Sequence, residues 1–379
     1  MKRLLSIFAA LVLTAASPAP VPHWTSAQID RLNAWLLAAA DDGLGSVTPE
    51  AKVLQDRLAG GDPAAVDVEA TRIAIRLLNA YRDGCCNASL RSGWRIALPR
   101  WTDAATSVAD AVSADQLEQL FTRARPSHPF YDALRRAYAR ERSPARRATL
   151  AANMDRWRWM PRDLGPRYLL VNAAGFEATL WEKGRAVSRW KVVVGKTKSP
   201  TPVFAATVTG VIFNPWWEIP SSIAAESVAA LVRNRPAEAA RRGYVLEDGR
   251  YRQQPGPGNA LGRMKLVMPN PYNVYLHDTP SQSLFGQEVR AFSHGCVRVE
   301  GALDLAATLI APQPGWSREN VDALVASGET QKVDLVSSIP VYVTYFTAEP
   351  DALGAMRYFP DIYHRDRGAK SPTEDGVCL

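Results

Sequence analysis

Apolar residues recur at helical spacing through the first part of the chain. Ser26 precedes Ile29, Leu32, Leu36 and Ala39, one stripe behind an N-cap signal, and Gly43 and Gly45 close it. Thr48-Pro49-Glu50 pairs a cap with a proline at the first helical position, and Gly60-Gly61 ends that run. Further helical runs span Val66 to Tyr81, Ser113 to Arg123 and Phe130 to Arg140. Ser143-Pro144 opens another with Leu150, Met154 and Trp157 on one face, and Pro161 and Gly165 stop it. The pattern predicts a helical module over 17–162.

The period changes at Pro166. Tyr168 to Val171, Ala178 to Trp181 and Val187 to Val194 are short runs of β-formers, and Glu182-Lys183-Gly184 is a turn signal between two of them. Thr207 to Phe213, Met264 to Met268, Asn273 to His277 and Val341 to Phe346 continue the theme, interrupted late by one strong helix, Gly301 to Ile310. An α+β class follows, a helical module leading into a mainly-β catalytic domain over 163–365. Between about 220 and 261 the chain makes an excursion. Ser221 to Arg233 and Ala237 to Arg242 read as helical, Glu247-Asp248-Gly249 as a hairpin turn between Tyr244 and Tyr251, and Gln253 to Gly258 as breaker-rich loop. A long insertion in a strand domain predicts a lid or binding loop. Residues 366–379 are expected to form a flexible tail.

The first sixteen residues predict an export signal rather than structure. Lys2 and Arg3 precede an apolar run from Leu4 to Leu13, and Thr14-Ala15-Ala16 supplies small residues for cleavage. Ten apolar residues are too few to span a bilayer. The expected compartment is therefore the periplasm, with an uncleaved inner-membrane anchor as the alternative. At 379 residues, 47% hydrophobic and 22% charged, the chain can bury a core without staples. Four cysteines exclude a disulfide scaffold. A net charge of +7 is too diffuse to argue for nucleic acid, but suits an acidic polymer.

The chemistry concentrates between Tyr275 and Glu300. Tyr275-Leu276-His277-Asp278 opens that stretch and Ser293-His294-Gly295-Cys296-Val297-Arg298 closes it, with fifteen residues between His277 and Ser293. A cysteine needs a base or a cation to become a thiolate at neutral pH, since a free thiol titrates near 8.5. His294, two residues before Cys296, would share its side in an extended strand, and Tyr275 would share a face with His277. Gly295, lacking a Cβ, would let a substrate carbonyl approach the backbone N–H groups. Taken singly, each residue has a structural reading: a buried cysteine is usually a small hydrophobe. Zinc is a weaker reading, because the other cysteines lack metal-type spacing to these residues. No metal or other cofactor is expected.

His277, the fifteen-residue interval and Ser293-His294-Gly295-Cys296 resemble the signature of the L,D-transpeptidase family with a YkuD-type catalytic domain. Trp157 to Gly165, Thr201-Pro202-Val203-Phe204, Phe213 to Trp217, Gly256 to Gly262 and Phe359 to Tyr363 extend the resemblance to its large scaffold-bearing, YcbB-like branch. The resemblance covers about 155–365 strongly and the helical part weakly. It implies His277 as general base held by the backbone carbonyl of Asp278, Cys296 as nucleophile, and the N–H groups of Gly295 and Cys296 as an oxyanion hole lined by His294. It implies peptidoglycan tetrapeptide stems as donor and acceptor, a thioester acyl-enzyme, release of D-Ala, 3→3 cross-links between meso-diaminopimelate residues, and acylation by carbapenems. Many members carry Asn where this chain has Arg298, a residue suited to clamp a carboxylate. Tyr275, Ser293 and Trp216 are further candidates for substrate contact. The branch often inserts a separate glycan-binding helical domain, for which Arg142 to Trp157 leaves no room. The acceptor stays open between a second stem, water, a free D-amino acid and an envelope-protein lysine. A non-catalytic wall-binding scaffold is the other class, and docking to other cell-wall synthases is undecided from sequence.

Overall fold

The computed structural model describes residues 21–45, 48–84 and 88–369. The predicted export segment, Cys85, Cys86 and Cys378 lie outside these residues. Among the described residues no helix is long and apolar enough to cross a membrane.

Seven helices come first: α1 (Ser26–Asp41), α2 (Thr48–Ala59), α3 (Pro63–Asp83), α4 (Ala104–Ser113), α5 (Leu117–Ala124), α6 (Pro129–Arg140) and α7 (Pro144–Arg158). Thr25 and Gln28 form a capping box on α1, Asp62 caps α3, and Ser143 caps α7 ahead of a proline in its first turn. Leu32, Leu36, Ile73, Leu77, Tyr81 and Phe121 fill one core. The run predicted from Ser113 to Arg123 begins too early, since α4 ends at Ser113 and α5 starts at Leu117. Asp115 lies between them at φ 53°, and its carboxylate accepts hydrogen bonds from Gln28 and Arg31 of α1. A tertiary partner therefore places the break, which local periodicity does not show.

The strands that follow are β1 (Arg167–Asn172), β2 (Glu177–Glu182), β3 (Arg185–Gly195), β4 (Phe204–Phe213), β5 (Trp217–Glu218), β6 (Tyr244–Glu247), β7 (Arg250–Gln253), β8 (Met264–Val267), β9 (Leu276–His277), β10 (Ala291–Ser293), β11 (Val297–Val299) and β12 (Gln331–Thr344). Nine of them form one sheet in the order β10-β3-β11-β9-β8-β4-β12-β1-β2, and β2 also pairs with β3, so the sheet curls back on itself. Two strands differ from their predicted extents. β12 begins ten residues before Val341, because its polar first half pairs with β4 through a register shift between Asp334 and Ile339. β9 keeps only Leu276–His277 of the predicted run, and Asn273 sits at φ 53°. Two helices follow β11, α11 (Ala302–Ile310 in the chain) and a second, Arg318–Ser327, that the apolar pattern misses. The second buries only Val321 and is defined by its ends, a Ser317–Asn320 capping box and a left-handed Gly328.

Between β4 and β8 the insertion folds as predicted. β5, β7 and β6 make a small sheet, and α8 (Ser221–Ile223), a π-helix (Ala224–Val228), α9 (Ala229–Asn234) and α10 (Pro236–Arg241) lie over it. Ile219, Ala224 and Val228 give it a small core of its own, packed against Trp217, Tyr244 and Tyr251. The main core is shared by both halves of the chain. Phe130, Leu134, Leu150, Met154 and Trp157 from α6 and α7 pack in one cluster with the sheet, and Trp157 stacks on Phe346 with ring centroids 4.8 Å apart.

Candidate active site

Strand register assembles the site. Arg298 of β11 lies opposite His277 of β9, and His277 lies opposite Lys265 of β8. Directly paired residues share a sheet face, so Lys265, His277 and Arg298 form a row. Cys296 and Tyr275 stand just ahead of those strands, in the segments that lead into β11 and β9, and all five residues line a cleft of about 1630 Å³ beneath the insertion. The Tyr275 and His277 rings meet edge-on at 5.7 Å.

His277 is buried, 4% exposed, and its Nδ1 stands 2.5 Å from the carbonyl oxygen of Asp278. A nitrogen facing a carbonyl must donate, which leaves Nε2 as the basic atom. Burial, helped by the Arg298 guanidinium, pushes the imidazole down to about 3, against the opposing pull of the Asp278 and Leu261 carbonyls. The ring is neutral at physiological pH. The Asp278 carboxylate is engaged elsewhere. It accepts the Arg263 N–H at 2.8 Å and occupies the space that a side chain at Gly262 would need.

Cys296 is the only cysteine among the described residues, carries a free thiol, and donates weakly to the Asn273 carbonyl at 3.8 Å. Burial raises its pKa, and the Tyr275 N–H, Arg298 and Lys265 offset part of that rise. Burial thus favours the neutral form of both the thiol and the imidazole.

The turn that carries Cys296 is held by named contacts. Ser293 Oγ donates to the Cys296 carbonyl at 2.5 Å and accepts the Gly295 N–H at 3.0 Å. This revises two expectations. Ser293 lines the cleft but spends its hydroxyl within the turn, and the Gly295 amide is engaged instead of free for an oxyanion. Gly295 is required for another reason: its φ is +118°, whereas its Cβ position is uncrowded. Its carbonyl accepts from Thr201 Oγ1 at 2.8 Å, and Tyr363 accepts the Thr201 N–H while donating to Gly195.

His294 lines the same cleft, but its ring is engaged by the insertion. Residues 294–296 form a turn, not a strand, so the two-residue spacing does not align it with the thiol. Its Nε2 lies 2.9 Å from Glu226 of the π-helix and 3.1 Å from Lys196 Nζ. Trp216 also differs: it packs under the Arg252 guanidinium at 4.3 Å, and Trp217, which begins β5, lines the cleft in its place. Arg298 and Tyr275 line the cleft as expected. Lys265 escaped the sequence reading. Its only signal was a lone lysine among Met264, Leu266 and Val267, where the strand pattern predicts burial on alternate positions.

Residues 166–321 match the L,D-transpeptidase catalytic domain family (YkuD), and residues 18–137 match the Scaffold domain family. A Haemophilus influenzae protein described as a candidate L,D-transpeptidase is 30% identical over 219 residues, which take in 52% of this chain and 44% of that protein. This chain thus spans less than half the length of that relative. Among solved structures, an L,D-transpeptidase from Mycobacterium smegmatis is 15% identical with a TM-score of 0.26, covering 47% of this chain and 58% of its own. L,D-transpeptidase 3 from Mycobacterium tuberculosis, solved with a faropenem-derived adduct, is 15% identical with a TM-score of 0.25, covering 47% and 60%. The chain carries a Scaffold domain followed by an L,D-transpeptidase catalytic domain of the YkuD type.

Proposed function

We propose that the protein is a peptidoglycan L,D-transpeptidase that forms 3→3 cross-links through a Cys296 thioester, working outside the cytoplasm. The observation that carries this reading is the one covered cleft that Cys296, His277, Tyr275 and Arg298 all line. Donor stem peptide enters beneath the insertion, and the thiol proton passes to His277 Nε2. The sulfur adds to the carbonyl of the third residue, diaminopimelate. The Cys296 N–H is the amide left to meet the oxyanion, since Ser293 holds that of Gly295. The C–N bond to D-Ala breaks, His277 returns its proton to the departing amine, and a thioester remains. An amine from a second stem attacks the thioester, giving its proton to His277 and restoring the thiol. The energy of the first amide is kept in the thioester, so no nucleotide is consumed.

Product analysis by mass spectrometry tests this, using wild type and Cys296→Ala with a disaccharide-tetrapeptide ending in D-Ala. Loss of D-Ala together with a dimer joined through two diaminopimelates, absent in the variant, is the expected result. Loss of D-Ala without dimer would move the function to hydrolysis or exchange. Turnover by Cys296→Ala would remove the nucleophile.

A further inference from the structure

Three basic side chains stand side by side on the cleft floor, and the reaction above uses only the middle one as a base. Lys265 and Arg298 flank His277 on the two neighbouring strands, about 10 Å apart at the backbone given a strand spacing of about 4.8 Å. Neither cation takes a salt bridge or a hydrogen-bond acceptor among the described residues, and Arg298 Nε is fully buried without a partner. Lys265 is half-buried, with its ammonium 5.2 Å from the centre of the Tyr275 ring. Glu218, the carboxylate that acts on Lys265 through space, is committed with Glu247 to Arg252, and Glu226 holds His294. Two partly desolvated cations with no salt bridge of their own, facing a shared cleft, are an anion site awaiting its ligand. Burial lowers the Lys265 pKa, and Glu218, followed by Cys296, opposes that fall, consistent with an ammonium that gains from a negative group.

We propose that Lys265 is a substrate-binding residue which, with Arg298, clamps a carboxylate of the donor stem across the face of His277. This rests on the function proposed above and names the group that the site recognises. A planar guanidinium on one side and a point charge on the other fit a carboxylate well. The Lys265–Arg298 row lies about 6 to 7 Å along the strands from the Tyr275–Cys296 row. A donor bound with its scissile carbonyl at Cys296 can therefore place a nearby carboxylate between the two cations. Two groups of the donor share this chemistry, the α-carboxylate of the leaving D-Ala and the side-chain carboxylate of diaminopimelate.

The test is steady-state D-Ala or D-Ala-amide release by wild type, Lys265→Met and Lys265→Arg. Three donors are compared: the free acid, the form amidated at the terminal residue, and the form amidated on the diaminopimelate side chain. Wild type is expected to prefer the free acid over one amidated donor by tenfold to a hundredfold in kcat/KM, on the order of a charge-assisted hydrogen bond. Lys265→Met should erase most of that preference, chiefly through KM, and Lys265→Arg should keep much of it. Which amidated donor loses its handicap identifies the carboxylate. An equal loss on all three donors would overturn the proposal and make Lys265 a residue that tunes the thiol or the fold. Wild type that releases nothing from any donor would instead count against the transpeptidase reading itself.

Discussion

His277 and His128 are both neutral in the folded chain, and each has a physical reason. His277 lies under the sheet face between two cations. His128 stacks on Trp157 at 4.0 Å, contacts the Tyr168 hydroxyl with Nε2, and accepts the Phe130 N–H on Nδ1, a bond that protonation would destroy. Burial pushes each imidazole down to about 3. The unfolded chain, titrating near 6.5, then binds more protons than the folded one between about 3 and 6.5. Stability is thus complete above that window and falls as the pH drops through it, by up to about 1.4 kcal/mol per pH unit for each histidine. Denaturant unfolding at pH 7.5, 6, 5 and 4 should show this slope, and His128→Asn with His277→Gln should flatten it. An unchanged slope in the double variant would mean that other groups carry the acid sensitivity. That His277 and Cys296 come to one cleft was legible in the sequence, since a motif of adjacent residues and one fixed interval survives any folding detail. Lys265 and the Ser293 lock were hidden, because strand register and a turn's internal hydrogen bonds depend on partners distant in the chain.

The inserted lid is the element that meets the site from above. Its π-helix presents Glu226 to His294, a contact that holds the Glu226 carboxyl below its ordinary range. The pair is exposed, so it latches without contributing much to global stability. Glu226→Gln should accelerate amide hydrogen exchange across 221–234 and raise KM for the stem several-fold with a smaller change in kcat. Exchange and KM both equal to wild type would leave the lid held by its apolar core alone. Helices and hairpin of this insertion were legible because its breakers and caps are local. The helix at Arg318–Ser327 was not, because it buries a single residue and so lacks an apolar stripe.

At the scale of the whole chain, two consecutive residues of α7 join the halves. Trp157 stacks in the core shared with the sheet, whereas Arg158 points into the first helices, fully buried. There it donates to Asp155 and to the Tyr131 hydroxyl, and to the backbone carbonyl of Asp42, whose own carboxylate accepts from Tyr81 and Tyr131. Arg156, one turn position away, pairs with Asp366 near the end of the described chain. A composition shift at Pro166 marks where the period changes, but it says nothing of a helix whose opposite faces belong to different cores. The arrangement predicts coupled unfolding. Arg158→Met removes a buried cation from facing carboxylates, a loss of about 3 to 5 kcal/mol. Far-UV circular dichroism reports mainly the helices, and mass-resolved labelling of Cys296 reports the sheet. In denaturant both should shift to a lower midpoint by the same amount, since α7 cannot leave one core while staying in the other. A helical transition that moves alone, with Cys296 still protected, would show that the two halves unfold independently and that α7 is a tether between them.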